Sequence, residues 1–164
     1  MPSTKAIPLA AALLAATLLL PGHVAVAAGD PFEDLKGDWK GGGTVVPSSG
    51  EQKTVACKVT YTLKGKTLTQ HLRCAGEDYN INSTAKMTDK NGKIRGSWTE
   101  ITYDANGGIT GTAGDDTVHA KISGDKFSSR MSIKISGDGH TINIVQLNEK
   151  TGIYRQVASL AFHR

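Results

Sequence analysis

The sequence predicts an all-β chain whose strands run as one antiparallel up-and-down meander and close into a barrel of about eight to ten strands. Three observations carry that expectation. Cys57 and Cys74 lie symmetrically about Gly65-Lys66. Turn signals recur about every 8 to 14 residues, with apolar and polar residues alternating between them. No amphipathic helical stretch of useful length follows the N-terminal leader.

The leader comes first. Lys5 is a short basic region and Ile7 to Leu20 an apolar run broken by Pro8 and Thr17. Pro21-Gly22 ends it, and Ala25-Val26-Ala27 places small residues where a signal peptidase reads. Residues 1–27 are therefore expected to be a cleaved signal peptide, cut near Ala27-Ala28, with residues 28–36 as a lead segment and 37–164 as a single barrel domain. The apolar run is shorter than the roughly 18 to 20 residues a spanning helix needs. No cysteine lies near the cut to carry a lipid. The expected product is a periplasmic or secreted monomer without a stable membrane anchor.

The chain carries 19 basic and 15 acidic residues, a net charge of +4. These charges are scattered singly, with no basic block and few aromatic residues to stack on bases. That is a solvated surface, and no nucleic-acid partner is expected.

Asp30 to Lys36 suits a short helical turn over one end of the barrel. Gly41-Gly42-Gly43, near the start of the first strand, suits a bend where that strand curves. The next two strands form the hairpin about Gly65-Lys66. Counting outward from Lys64 and Thr67, the cysteines fall at a non-hydrogen-bonded pair, where Cα atoms approach to about 4.5 Å and a disulfide can form. The same register puts Cys57, Val59, Tyr61, Leu63, Leu68, Gln70, Leu72 and Cys74 on one face. Lys58, Thr60, Thr62, Lys64, Thr67, Thr69, His71 and Arg73 take the other. Two cysteines in an exported chain are most simply one structural disulfide, whereas a redox pair needs a C-x-x-C spacing.

Asn91-Gly92, Asn106-Gly107 and Asp138-Gly139 read as type I′ turn pairs, with Gly76-Glu77, Asp115-Asp116 and Gly124-Asp125 as further turn centres. As two-residue loops these pair Cys74 with Tyr79, Ala85 with Trp98, Ala113 with Val118, Ile122 with Phe127, Ile135 with Ile142, and Ile133 with Ile144. Every pairing keeps apolar residues on one face, although a slip of one residue would turn a whole strand outward. Within one strand Phe127, Ser129, Met131, Ile133 and Ile135 face one way. The last strand, from about Ile153 to Phe162, leaves open whether Tyr154 or Arg155 points inward.

Leu35-Lys36-Gly37-Asp38-Trp39 opens the domain with a Gly-x-Trp. In a meander barrel this resembles the lipocalin or calycin pattern. That resemblance implies a tryptophan, here Trp39, closing the barrel base against a basic residue of the last strands, Arg155 or Arg164. The chain departs from lipocalins in lacking the helix that follows their barrel, which argues against a generous cavity. Over the mature chain it is similar to small uncharacterised exported bacterial proteins with a Gly-x-Trp-x-Gly start. Those also carry a Leu-x-Cys-Ala hairpin end, here Leu72-Arg73-Cys74-Ala75, and a Gly-x-Trp-x-Glu strand, here Gly96-Ser97-Trp98-Thr99-Glu100. That family implies a barrel without a settled activity. It also resembles periplasmic inhibitors of secreted metalloproteases, in which an extended N-terminal segment, here Ala28 to Leu35, blocks the enzyme.

The inner face includes Gln70, Ser83, Glu100, Thr102, Ser129 and Gln146 among its aliphatic residues. Ser83 falls opposite Glu100, beside the Ala85 and Trp98 pair. A carboxylate directed inward beside Trp98 would fix the polar end of a small ligand. A bulge after Trp98 would instead turn Glu100 outward and bring Ile101 in. His71, His119, His140 and His163 are spread over separate strands, and no Cys/His spacing suggests a metal site. The glycine-rich stretch Gly111 to Val118 holds a single copy of a calcium-roll-like pattern and reads as a polar hairpin turn. There is no Gly-x-Ser-x-Gly, free nucleophilic cysteine or paired loop carboxylate, so no catalytic residue, enzyme activity or cofactor is expected.

The expected function is a small exported binding barrel for a small apolar or amphipathic ligand, lined by Trp98, Glu100, Tyr61, Tyr79, Gln70 and Ser83. The alternatives are a protein-interaction module such as a protease inhibitor, and an envelope protein without a discrete ligand. An interior hollow of about 300 Å³ or more would favour the ligand. Loss of inhibition with retention of fold on deleting Ala28 to Leu35 would favour the inhibitor. Replacing Cys57 and Cys74 by Ala is expected to lower stability by about 2 to 4 kcal/mol in a urea titration, and thiol assay of the unmodified protein should find no free sulfhydryl.

Overall fold

The computed structural model describes residues 29–125 and 127–164. The expected leader with its cleavage point, Lys126 and the side chain of Phe127 lie outside the described residues. One short helix, α1 (Pro31–Leu35), precedes ten strands: β1 (Gly37–Val45), β2 (Lys53–Lys64), β3 (Thr67–Ala75), β4 (Asn80–Lys90), β5 (Lys93–Glu100), β6 (Ala105–Gly114), β7 (Thr117–Gly124), β8 (Phe127–Ser136), β9 (Gly139–Asn148) and β10 (Ile153–His163). Each strand pairs antiparallel with the next, and β1 pairs with β10 to close the barrel.

Alternation decides which side of each strand is dry. Along β2, Val55, Cys57, Val59 and Tyr61 are buried while the residues between them are exposed. Cys57 pairs with Cys74 across β2 and β3, their Cα atoms lie 4.1 Å apart, and the disulfide is formed. Gly65 takes φ +58° and Asn91 and Gly92 take +54° and +78°, the left-handed conformations these hairpin turns demand. Ala85 faces Trp98 and Ala113 faces Val118 as expected.

Four turns differ from the sequence reading. Cys74 faces Ile81 rather than Tyr79, because the reversal sits at Glu77-Asp78, closed by Gly76 N–H donating to the Tyr79 carbonyl at 2.7 Å. Ile122 faces Ser129 rather than Phe127. Ile135 faces His140 and Ile133 faces Ile142, because Gly137 at φ +56° and Asp138 form the turn in place of Asp138-Gly139. Each of these four pairings, set by three turns, moves by two residues, which leaves the paired side chains on their expected face. The period-two pattern specifies parity, and several turns of equal parity satisfy it.

Asn106-Gly107 makes no turn at all. The reversal between β5 and β6 uses residues 101–104, with Asp104 at φ +50°, and Gly107 lies within β6 opposite Trp98. A Cβ there would fall 1.7 Å from the Ser123 carbonyl oxygen and 2.9 Å from the Trp98 indole nitrogen. Close backbone approach, and not turn geometry, is what this glycine serves.

The alternative of a bulge after Trp98 is not realised: Glu100 pairs with Ser83 in unbroken register and Ile101 is exposed. A register shift between Gln156 and Ala158 accounts for the mixed parity of β10. Beyond it Ala158, Leu160 and Phe162 point inward and are buried. Before it Tyr154 sits on the outer wall under the Arg130 guanidinium, and Arg155, paired with Gln146, is exposed at the barrel end.

The helix and the start of β1 plug one end. Asp30 caps α1, its carboxylate accepting from Phe32 N–H at 3.0 Å, and Pro31 opens the helix where no N–H is needed. Phe32, Leu35 and Trp39 are all but fully buried there. The Trp39 indole donates to the Leu35 carbonyl at 2.7 Å. Arg164, not Arg155, lies over the Trp39 ring at 4.4 Å and donates to the Asp34 carbonyl at 2.8 Å. Replacing Gly107 with Ala is expected to cost about 3 kcal/mol through forced strand displacement, measured by thermal and urea unfolding, whereas the same change at Gly114, where a Cβ meets nothing within 4 Å, should be nearly neutral.

Candidate functional site

The barrel interior divides into two halves. Beside α1, inward residues are large and tightly enclosed: Trp39, Tyr61, Leu68, Met87, Ile94 and Ile133 are each at most 2 % exposed. Toward the opposite end the inner face carries Ala85, Ala158, Ser83 and Ser129, and a cavity of about 220 Å³ opens among them. Its walls are chiefly aliphatic, from Ile109, Met131, Ile142 and Leu160 among others. Several inward residues near that end, including Leu72, Ile81, Trp98 and Ile144, are only half-buried, so the hollow opens to solvent there.

Of the residues the sequence singled out, Trp98, Glu100, Gln70 and Ser83 line this cavity. Two do not. Tyr61 lies beneath the floor, where its hydroxyl accepts from Gln70 Nε2 at 3.0 Å. Tyr79 sits at the mouth, stacked on Tyr103 with ring centroids 5.6 Å apart. Trp98 stands against the cavity wall, its indole N–H donating to the Ser123 carbonyl at 3.2 Å.

Glu100 is directed inward yet bound by its own loop. Its carboxylate accepts from Asn82 N–H and from Tyr103 N–H, each at 2.7 Å. Burial works to raise its pKa, but these bonds and those from Thr102 outweigh it and hold the group below the usual carboxylate range. Burial also raises the pKa of Tyr79, with Tyr103 and the Glu100 charge adding to the effect.

One residue of this region escaped the sequence reading. His140 is 2 % exposed, its Nε2 lies 3.2 Å from the Tyr61 hydroxyl, and its Nδ1 has no partner. The ring stacks on Phe162 and meets Trp39 and Tyr61 edge-on. Gln70, Tyr61 and His140 thus form a hydrogen-bonded chain from the cavity floor into the packed base. The expected turn at Asp138-Gly139 left residue 140 at the closing pair of the hairpin, whereas in the structure it lies further into the ladder, opposite Ile135.

The geometry is that of a closed antiparallel barrel of the lipocalin/calycin-like type with a modest apolar hollow. No protein-family profile matches the chain, and no curated protein matches it. Among solved structures it is similar to the crystal structure of Rv2717c from M. tuberculosis, with a TM-score of 0.61 and 12 % identity over 79 % of this chain and 92 % of that one. It is also similar to the S-type phycobiliprotein lyase CPES from Guillardia theta, with a TM-score of 0.56 and 14 % identity over 80 % of this chain and 88 % of that one. At these identities the likeness is one of fold. Among the described residues no cluster of three or more His, Cys, Asp or Glu side chains is arranged to hold a metal ion.

Burial, reinforced by the charge of Arg164, lowers the His140 pKa from the usual 6.5 to about 4. A folded-state pKa below the unfolded one means that acidification protonates the unfolded chain first. Stability should therefore be full above about pH 6.5 and fall by about 3 kcal/mol as the pH drops toward 4. Urea titrations across that range should show the loss, and His140→Phe should flatten it.

Proposed function

We propose that this protein is an exported binding barrel that holds a small apolar or amphipathic ligand in the half of the barrel away from α1. The observation that carries the reading is the hollow itself, about 220 Å³, mainly aliphatic and open at one end, in a barrel otherwise packed tight. An apolar cavity of about 150 Å³ accepts benzene, so this one suits a ligand body of one or two rings or a short alkyl chain. It falls short of the roughly 300 Å³ set above as the size that would favour a ligand, so the reading rests on the apolar, open character of the hollow, and the cargo is limited in size.

The buried disulfide supports export, since such bonds persist in oxidising compartments. Among the described residues no helix is long and apolar enough to cross a membrane. Among the described residues Glu100 is the one ionisable side chain lining the cavity, and we read the site as a binder. The protease-inhibitor alternative needs a free N-terminal arm. Phe32 and Leu35 of that arm are buried in the base plug, so deleting residues 28–35 would damage the fold rather than isolate an inhibitory function.

Native mass spectrometry of the mature protein purified from the periplasm, followed by denaturing extraction, should recover a reproducible small molecule. Ala158→Leu, which places extra carbons in the hollow, should abolish that adduct while changing stability by less than about 1.5 kcal/mol. A clean apo mass in the unmodified protein would turn the reading toward a ligand-free envelope or interaction module.

A further inference from the structure

Resting on that cavity reading, the chemistry of the mouth narrows the ligand class. The described residues lining the hollow include no lysine, arginine or histidine, and their one charge is the Glu100 carboxylate. Trp98, two residues earlier on the same inward face of β5, brings an indole to the same wall. Tyr103, whose backbone N–H holds Glu100, stacks its ring on Tyr79 at the rim. Aromatic faces gathered beside a fixed carboxylate are the chemistry that recognises organic cations.

We infer that the ligand of this barrel carries a cationic head, a substituted ammonium held at the mouth by Glu100 and the neighbouring aromatic rings, with its apolar chain filling the hollow. A fatty-acid carboxylate is disfavoured twice. Drawn inside, it would be buried without a partner cation, a large desolvation penalty. Left at the mouth, it would face Glu100 and the loop acids Glu77, Asp104, Asp125 and Glu149. Of the cations at that end, Lys53 is already held by Glu51 and Asp78 at 2.8 Å each and Arg130 lies over Tyr154 on the outer wall, leaving Lys150, Arg155 and the outward Arg73 among the described residues.

The hydrogen bonding of Glu100 refines the class further. A carboxylate offers about four acceptor sites, and Asn82, Thr102 and Tyr103 already direct donors to this one. It therefore presents charge more than vacant acceptors. A tertiary or quaternary ammonium, which needs a counter-charge and aromatic faces but few or no hydrogen bonds, fits that arrangement better than a primary amine.

The test compares three probes of matched chain on the mature protein by isothermal titration calorimetry: octyltrimethylammonium, 1-octanol and octanoate. The ammonium should bind about tenfold more tightly than the alcohol, and octanoate should bind most weakly. Glu100→Gln should bring the ammonium down to the level of the alcohol without changing the alcohol. Because that variant also loosens the 101–104 loop, Tyr103→Leu serves as a second one. It keeps the backbone bond to Glu100, and should weaken the ammonium severalfold while sparing the alcohol. Octanoate binding as well as the ammonium, or an ammonium preference unchanged in both variants, would overturn the inference while leaving the cavity reading intact. Failure of all three probes would overturn both.

Discussion

Closure is the constraint on which the rest depends. β1 must pair with β2 on one side and β10 on the other, so that the first and last strands of the chain meet. Its middle is Gly41-Gly42-Gly43, and a Cβ on Gly41 would lie 1.9 Å from the Ala161 carbonyl oxygen of β10. No side chain larger than hydrogen lets these strands approach so closely. With the seam shut, every strand has two neighbours and the sheet offers no open edge for another chain. Inside and outside then acquire fixed meanings. The same seam brings Arg164 over Trp39 and onto the Asp34 carbonyl, tying the end of the chain to the helix that plugs the base.

The charges sort themselves by position on that closed surface. Strand residues facing outward are mainly threonines, serines and cations, and Lys40, Lys58 and Arg73 lie directly opposite one another across β1, β2 and β3. Like charges so placed are unfavourable neighbours, so the wall is cationic at some cost in stability. The acids gather in the loops instead, Glu77, Asp78, Asp104 and Glu149 at the mouth among them. The net charge of +4 therefore misdescribes the place where a ligand would enter.

Much of the fold was legible in the sequence because alternation is a strong signal and a slip of one residue is costly. The β2–β3 register, with its disulfide, was fully specified by Cys57, Cys74 and Gly65-Lys66 together. The turns about residues 77, 125 and 137 were each misplaced in a way that preserved parity, since nothing in an apolar–polar pattern separates two registers that differ by two. His140 was lost to the same degeneracy, because a histidine near a turn reads as a rim residue until its register is known. Gly107 misled for a different reason. Asn-Gly is a good turn pair in isolation, and only the three-dimensional approach of Ser123 and the Trp98 indole reveals what the glycine is for. For the candidate site, Trp98, Glu100, Ser83 and Gln70 were legible as inward positions. That Glu100 is clasped by Asn82 and Tyr103 was not, since it depends on a loop conformation.

The hollow is a consequence of residue size along the inner face. At the base the inward positions include Trp39, Tyr61, Leu68, Met87 and Phe162, all buried, with Trp39, Tyr61 and Phe162 packed around the His140 ring. Toward the mouth Ala85, Ala158, Ser83 and Ser129 interrupt larger residues such as Leu72, Ile81 and Trp98, and the interior is left unfilled. A barrel with so little packing at one end has less apolar burial to hold its strands there. The disulfide sits in that half, joining β2 to β3 near the mouth end of both strands. It supplies through loop closure a stability that the interior does not supply through contact. The packed base and the covalent link together let the mouth half keep its small residues, and with them the room for a ligand, without losing the closure that defines the fold.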